Sequence, residues 1–176
     1  MIQGHGDDLY KYNKVEINFS TNIFNHFDHS ALFAYLNERL PRITSYPEPE
    51  PVTLEKLLAD SMEVEPENII ATNGATEAIY LIAQCFKDGN AHILQPTFAE
   101  YADACRIHGC NVKTITSLHG GDAFGNGDTV WFCNPNNPTG KVTDNEDVIR
   151  TIAANPETVF IIDQSYSSYT THKVLS

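Results

Sequence analysis

Three short polar segments each follow an apolar run of the chain, and their side chains are of the kinds that hold small charged ligands. The segments are Asn73–Thr76, Asn134–Gly140 and Asp163–Tyr166. In open sheets of parallel strands, ligands bind outside the carboxyl ends of the strands. Polar segments at three predicted strand ends therefore indicate one ligand site at that edge of a sheet.

The first segment runs from a predicted strand directly into a predicted helix through Gly74. Such a turn points free backbone N–H groups and the positive end of the helix dipole at one place, which suits a phosphate group. Thr76 adds a hydroxyl. A tight strand-to-helix turn with an ordinary cap gives the same pattern, so the motif alone leaves both interpretations open.

The other two segments combine rigid backbone with polar side chains. Asp163 ends a run of four apolar residues, and a carboxylate in that place must be hydrogen-bonded or paired with a charge. The prolines of Asn134–Gly140 fix the backbone, while the asparagine amides bond within the turn or to a ligand. Helix capping at Asp163 and a merely rigid loop at Asn134–Gly140 are the simpler interpretations.

Two other kinds of site are disfavoured by spacing. The glycines of Gly120–Gly125 neither follow a predicted strand nor open a predicted helix, which makes a dinucleotide site a weak rival. The four cysteines contain no CxxC pair and lie among apolar residues, so we expect reduced, packed thiols and no metal site.

Helices and strands alternate through most of the chain, and the strands are short continuous apolar runs. The predicted helices are Ser30–Leu40, Thr53–Met62, Thr76–Lys87, one from the capping box Thr97–Glu100 to Gly109, and one from the capping box Thr143–Glu146 to about Ala154. The predicted strands are Ile69–Thr72, His92–Gln95, Asn111–Thr116, Thr129–Cys133 and Thr158–Asp163. This order predicts an α/β fold with a mostly parallel sheet between helices.

Composition limits the function further. Among 176 residues, 23 are acidic and 11 are Lys or Arg, giving a net charge of −12, which disfavours nucleic-acid binding. No apolar run approaches the roughly 20 residues that cross a bilayer, and Met1–Asp8 lacks a secretion-signal pattern, so we expect a soluble cytoplasmic protein. Four prolines within Pro41–Pro51 predict a joint, with an N-terminal arm and helix over residues 1–45 and a larger domain over 46–176.

Four motifs together resemble a known family. Asn73–Glu77, Pro96–Tyr101, Asn134–Gly140 and Asp163–Tyr166 occur in the order and spacing of fold-type I pyridoxal-phosphate enzymes of the class I/II aminotransferase family. The chain is most similar to histidinol-phosphate aminotransferases and threonine-phosphate decarboxylases. The resemblance covers essentially the whole chain, and it implies a three-layer αβα large domain, a homodimer and pyridoxal 5′-phosphate as cofactor.

The resemblance also implies roles for individual residues. Gly74, Ala75 and Thr76 would hold the cofactor phosphate, and Tyr101 would stack on the pyridine ring. Asp163 would pair with the protonated ring nitrogen.

Five further residues receive roles from the same likeness. Asn137 and Tyr166 would bond O3′ of the ring, and Tyr46 would reach the phosphate of a neighbouring subunit's cofactor. His5 and Asn22, together with Asn137, would face the substrate. Gly4–Asp8 with Asn18–Asn22 looks most like the decarboxylase branch.

The family's Schiff-base lysine lies well beyond the Asp-x-x-Tyr strand, and no lysine of this sequence occupies that context. The resemblance therefore implies the N-terminal portion of a longer aminotransferase, inactive by itself. Two alternatives stay open, a threonine-phosphate decarboxylase-like enzyme and a non-catalytic scaffold that retains the pocket.

Overall fold

The computed structural model describes residues 9–24, 26–118 and 124–175. His5 and the glycines at 120 and 121 lie outside the described residues. The chain divides into two compact units, one ending at Ala71 and the other beginning at Thr72. The boundary expected near residue 46 remains a prediction.

The second unit is built on a sheet of four strands in the order β2-β1-β3-β4, and every strand pair is parallel. The strands are β1 (Asn90–Leu94), β2 (Asn111–Ile115), β3 (Thr129–Cys133) and β4 (Val159–Asp163). The helices of this unit are α3 (Ala75–Cys85), α4 (Glu100–Ile107) and α5 (Asn145–Ala154). The predicted parallel α/β fold is confirmed.

Both faces of the sheet are covered, because alternate residues of β3 enter different cores. Trp131 and Cys133 pack with Ile79 of α3 and Tyr101 of α4. Val130 and Phe132 pack on the other face, where Val148 of α5 joins them. All five residues of β3 are buried, which explains why this strand is a continuous apolar run and not an alternating one.

The described residues of the first unit form the α-helices α1 (Ser30–Arg39) and α2 (Val52–Met62) and short 3₁₀ turns at Leu9–Lys11, Leu40–Thr44 and Pro66–Asn68. The strand predicted at Ile69–Thr72 is wrong, since these residues pair with no strand of the described chain. Ile70 is exposed, and the N–H of Ala71 donates to the carboxylate of Glu55 at 2.9 Å. A side chain thus takes the donor that a neighbouring strand would use.

The structure differs from both predicted capping boxes. α4 begins at Glu100, and the hydroxyl of Thr97 donates to Oδ1 of Asn136 at 3.0 Å where a capping box would have it accept a helix N–H. α5 is capped by Asp144, whose Oδ1 accepts the N–H of Glu146 at 2.8 Å. Thr143 instead bonds to Asn134. A contact to a distant segment thus engages the Thr97 hydroxyl, while α5 keeps a local cap at Asp144, one residue after the predicted Thr143.

Within the described ranges, no helix is long and apolar enough to cross a membrane.

A buried polar cluster closes the amino-terminal end of the sheet. Oδ2 of Asp128 lies 2.7 Å from Nε2 of His92 and accepts the N–H of Gly125 at 2.9 Å, while Oδ1 accepts the amide of Asn90 at 2.8 Å. Burial opposes the charged form of Asp128, but the bonds from Asn90, Gly125 and His92 outweigh it and hold the pKa of this carboxyl below its ordinary value. The carboxylate therefore ties the start of β1 to the start of β3.

Asp128→Asn tests this cluster, because an amide offers one acceptor oxygen where the carboxylate satisfies three partners. We expect the free energy of unfolding at neutral pH to fall by about 1–3 kcal/mol, the cost of leaving a buried partner unmatched. A lowered folded-state pKa contributes stability above the unfolded-state value near about 4, and that stability is lost as the pH falls through the folded value. Urea unfolding across pH 2–7 measures both effects.

The variant is expected to lose part of the wild-type dependence of stability on acid pH. Asp60→Asn, at an exposed position of α2, is the matched control and is expected to change stability by less than about 0.5 kcal/mol. Equal stability curves for Asp128→Asn and Asp60→Asn would contradict the assigned role.

Candidate functional site

The carboxyl ends of β3 and β4 lie side by side, since Cys133 pairs in register with Asp163. The polar segments Asn134–Gly140 and Asp163–Tyr166 leave the sheet from these two neighbouring positions. Parallel pairing therefore brings two of the three predicted segments to one edge, as the sequence predicted.

Asp163 is half-buried, and both of its carboxylate oxygens accept hydrogen bonds. Oδ2 accepts the hydroxyl of Tyr101 at 2.7 Å, and Oδ1 accepts the N–H of Ser165 at 2.8 Å. These bonds meet the requirement that a carboxylate at the end of a buried strand be satisfied. The charged group is fixed in direction by α4 on one side and by the turn after β4 on the other.

Tyr101 lies in the first turn of α4 with only 1% of its surface exposed. Its ring stacks on Trp131 with centroids 6.2 Å apart and meets Phe98 edge-on at 5.8 Å. Burial, together with the carboxylate of Asp163, raises the pKa of Tyr101 far above its ordinary value. The phenol therefore stays protonated as a donor, while its expected stacking on a ligand ring remains a prediction.

The loop after β3 is held by its own side chains. Cys133 donates its thiol to the carbonyl of Pro135 at 2.9 Å and receives the N–H of Asn137. Burial raises the pKa of the Cys133 thiol, so it remains neutral beside Asp163. Asn134 bonds both the N–H and the carbonyl of Thr143, at 2.9 and 3.0 Å, which fixes the far end of the loop.

Asn136 is a second anchor of this loop, and the sequence interpretation assigned it no role. Its Oδ1 accepts the hydroxyl of Thr97, and its amide donates to the carbonyl of Pro96 at 2.9 Å and to Thr139 at 2.8 Å. The signal in the sequence was the pair of adjacent asparagines between two prolines. Asn136 thus ties the loop after β3 to the loop after β1.

A cavity of about 460 Å³ opens at the same edge, next to this loop. Its lining includes Gln95, Cys133, Asn136 and Thr143. The volume is in the range of small-molecule pockets. Space for a small ligand therefore lies beside the residues that fix the loop.

Gly74 begins the third segment with φ of +84°, a left-handed conformation that favours glycine. α3 begins at Ala75, and no side chain among the described residues caps it. The first turn of this helix, with Ala75 and Thr76, is exposed. Backbone N–H groups at such a helix start are suited to an anion.

The short connection between α3 and β1 indicates where the helix begins relative to the sheet. α3 and β1 are joined by residues 86–89 only, so the helix runs antiparallel to the strand and begins near the strand's carboxyl end. Tyr80, in the second turn of α3, donates its hydroxyl to Glu100 at the start of α4 with a distance of 2.8 Å. Thr76 precedes Tyr80 by one helical turn, on the same face.

One acidic side chain lies close to this helix start. The carboxylate of Glu77 accepts the N–H of Asn73. This bond folds Glu77 back over the turn and satisfies one donor of the segment. An anion bound at Ala75 and Thr76 would therefore have Glu77 as a neighbour of like charge.

The remaining predicted residues fall into two groups. Tyr166 is half-buried, packs against the core that contains Tyr101, and lies with its ring 6.0 Å from that of Tyr169. Asn22 and Tyr46 belong to the first unit and are exposed, and their roles stay predictions.

This chain is similar in sequence to curated histidinol-phosphate aminotransferases. A curated histidinol-phosphate aminotransferase from Ruminiclostridium cellulolyticum is 28% identical over 150 residues, covering 77% of this chain and 42% of the relative. Another, from Caldanaerobacter subterraneus, is 33% identical and covers 72% and 39%. The chain thus spans about two fifths of the length of these relatives.

Solved structures also resemble this chain over most of its length. L-threonine-O-3-phosphate decarboxylase from Porphyromonas gingivalis is 40% identical with a TM-score of 0.81, covering 88% of this chain and 48% of that one. Histidinol-phosphate aminotransferase from Sinorhizobium meliloti, solved in complex with pyridoxal-5′-phosphate, is 20% identical with a TM-score of 0.67, covering 78% and 41%. The latter likeness shows a shared fold.

A family model described as aminotransferase class I and II matches residues 14–173. This match includes both strand-end segments, the helix start at Gly74 and the Tyr101–Asp163 pair. The chain belongs to the aminotransferase class I and II family.

Proposed function

We propose that this protein binds pyridoxal 5′-phosphate at the carboxyl edge of its sheet and acts as a pyridoxal-phosphate-dependent aminotransferase. The observation that carries the proposal is Asp163, a carboxylate held by Tyr101 and Ser165 at the end of β4 in a chain of this family. A solved structure of similar fold, a complex with pyridoxal-5′-phosphate, supports the choice of cofactor.

The donor set fits the two ends of this cofactor. The exposed first turn of α3, with Gly74, Ala75 and Thr76, offers N–H groups and a hydroxyl to a phosphate. Asp163 offers a carboxylate to the ring nitrogen. Asn137 and Tyr166, on the two neighbouring strand-end segments, are the proposed partners of O3′.

Each of these residues has a simple task in the proposed chemistry. When bound, the cofactor supplies an electron-withdrawing ring conjugated to the substrate amine. Asp163 holds a proton on the ring nitrogen, because an adjacent carboxylate favours the cationic form. Asn137 and Tyr166 orient the ring, while the start of α3 holds its phosphate.

A decarboxylase is the second candidate, and one observation favours it. The solved L-threonine-O-3-phosphate decarboxylase is 40% identical to this chain, whereas the two curated histidinol-phosphate aminotransferases described above are 28% and 33% identical. Histidinol phosphate and L-threonine O-3-phosphate, after which these relatives are named, are both phosphorylated amino compounds. We therefore propose a substrate of that class, with Asn22, Asn137 and His5 on the substrate side.

The family likeness also supports a homodimer that works in the cytoplasm, with no nucleic acid or membrane as partner. Tyr46 is fully exposed, so its hydroxyl is available to a neighbouring subunit. In this proposal Tyr46 of one subunit reaches the cofactor phosphate of the other. The net charge of −12 agrees with the absence of a nucleic-acid partner.

Asp163→Asn is expected to slow turnover by about 100-fold or more, because the neutral amide no longer favours a protonated ring nitrogen. Cofactor affinity is expected to fall less, since the phosphate contacts remain. Steady-state kinetics and titration with pyridoxal phosphate, both on the complete gene product, measure the two effects. Asp60→Asn is the control, and equal turnover of the two variants would refute the role of Asp163.

A paired assay separates the two candidate activities. The complete gene product is incubated with histidinol phosphate and a 2-oxo acid, and separately with L-threonine O-3-phosphate alone. Aminotransfer is expected in the first reaction, measured as the amino acid formed from the 2-oxo acid. Carbon dioxide released in the second reaction, without aminotransfer in the first, would replace the aminotransferase proposal with the decarboxylase.

Tyr46→Phe tests the shared site. Loss of one hydrogen bond to a phosphate is expected to weaken cofactor binding by about tenfold, while the dimer mass in sedimentation stays unchanged. Tyr12→Phe, which removes the hydroxyl of another exposed tyrosine, is the control. A monomer in solution, or unchanged affinity in Tyr46→Phe, would contradict the proposed sharing.

A further inference from the structure

Tyr101 makes a contact that its expected role does not require. A tyrosine that only stacks on a ligand ring needs its aromatic face, yet here the hydroxyl bonds Oδ2 of Asp163 at 2.7 Å. We propose that Tyr101 is a positioning residue, whose hydroxyl fixes the Asp163 carboxylate in the direction from which it holds the cofactor's ring nitrogen. The inference rests on the proposed function, in which Asp163 holds the ring nitrogen. It assigns Tyr101 as the residue that orients the Asp163 carboxylate.

The two bonds to Asp163 restrain it in complementary ways. Tyr101 holds Oδ2 from α4, and the backbone N–H of Ser165 holds Oδ1 from the turn after β4. A carboxylate bonded at both oxygens by groups from different elements cannot rotate freely about its terminal bond. Each carboxylate oxygen has about two acceptor positions, so both oxygens retain capacity for a ligand donor.

The ring of Tyr101 is held in place by close packing, as a positioning residue requires. Tyr101 is 1% exposed, and its ring is packed between Trp131 and the edge of Phe98. Cys133 also contacts the hydroxyl, and its thiol is occupied by Pro135 and Asn137. The phenol therefore lies in a rigid setting, close to the end of β3.

The setting also keeps the phenol in its donor form. Burial and the negative charge of Asp163 both raise the pKa of Tyr101, which favours the protonated hydroxyl. A protonated phenol next to a carboxylate makes a charge-assisted hydrogen bond, stronger than one between neutral groups. The direction of the bond is thus fixed, from Tyr101 to Asp163.

The chain supplies a matched control for this bond. Tyr80 donates to the carboxylate of Glu100 at 2.8 Å, also between a tyrosine on a helix and a buried acid. Glu100 is the first residue of α4 and has no proposed contact with the cofactor. Tyr80→Phe therefore removes the same chemical group from the same region and leaves the Asp163 carboxylate as it is.

Binding of pyridoxamine 5′-phosphate to the complete gene product tests the proposal without requiring turnover. Trp131 is the only tryptophan of this chain and stacks on Tyr101, so quenching of its fluorescence reports binding at this site. If the complete gene product contains further tryptophans, equilibrium dialysis gives the same constants. We expect Tyr101→Phe to weaken binding by about tenfold and Tyr80→Phe by less than about twofold.

A double-mutant cycle shows whether Tyr101 acts through Asp163. In the Asp163→Asn background, Tyr101→Phe is expected to cause no further loss of affinity, since the group it positions is already gone. A residue that stacks on the ligand, or that only supports packing, would give losses that add. Additive losses, or unchanged affinity in Tyr101→Phe, would overturn the inference while the proposed function stands.

Absence of binding by the unchanged protein would reject the proposed function and this inference together, so the two failures are distinguishable. Circular dichroism checks that Tyr101→Phe is folded. Should it not fold, 3,5-difluorotyrosine at position 101 keeps the ring and makes the hydroxyl a stronger donor. A two- to threefold change in affinity is then expected, and no change would overturn the proposal.

Discussion

Parallel pairing of β3 with β4 is the constraint on which the candidate site depends. Register alone sets Cys133 beside Asp163, so the two polar loops that follow must begin next to each other. Side chains from helices pack against both faces of β3, and the carboxyl edge of the sheet is where a ligand of an open parallel sheet binds. Displacing β4 by one residue would turn Asp163 to the opposite face of the sheet, away from Tyr101.

Buried polar side chains then set the geometry of that edge. Asn134 and Asn136 close the loop after β3 onto segments distant in sequence, and Tyr101 closes α4 onto Asp163. Each of these groups would be costly to bury without its partner. Their mutual satisfaction favours one arrangement of the loops, and a preorganised arrangement suits a site that must hold a flat ligand in a fixed orientation.

The opposite end of the sheet uses the same physics for a different purpose. Asp128 gathers Asn90, His92 and Gly125 around one carboxylate and joins the starts of β1 and β3. Every donor there is taken up within the protein, which is the signature of a structural cluster. At Asp163 the carboxylate keeps acceptor capacity at a half-buried position, which suits a group that binds a ligand.

The sequence alone determined the order of elements and the polar strand ends, because apolar runs and glycine or proline breaks are local signals. It placed β3 at its exact bounds and anticipated a satisfied carboxylate at Asp163. The local pattern wrongly predicted a strand at Ile69–Thr72 and a helix cap at Thr97. At both places the structure is decided by hydrogen bonds to residues distant in sequence. Only the tertiary structure revealed that the hydroxyl of Tyr101 meets Asp163, since 62 residues separate them and no spacing rule encodes their contact.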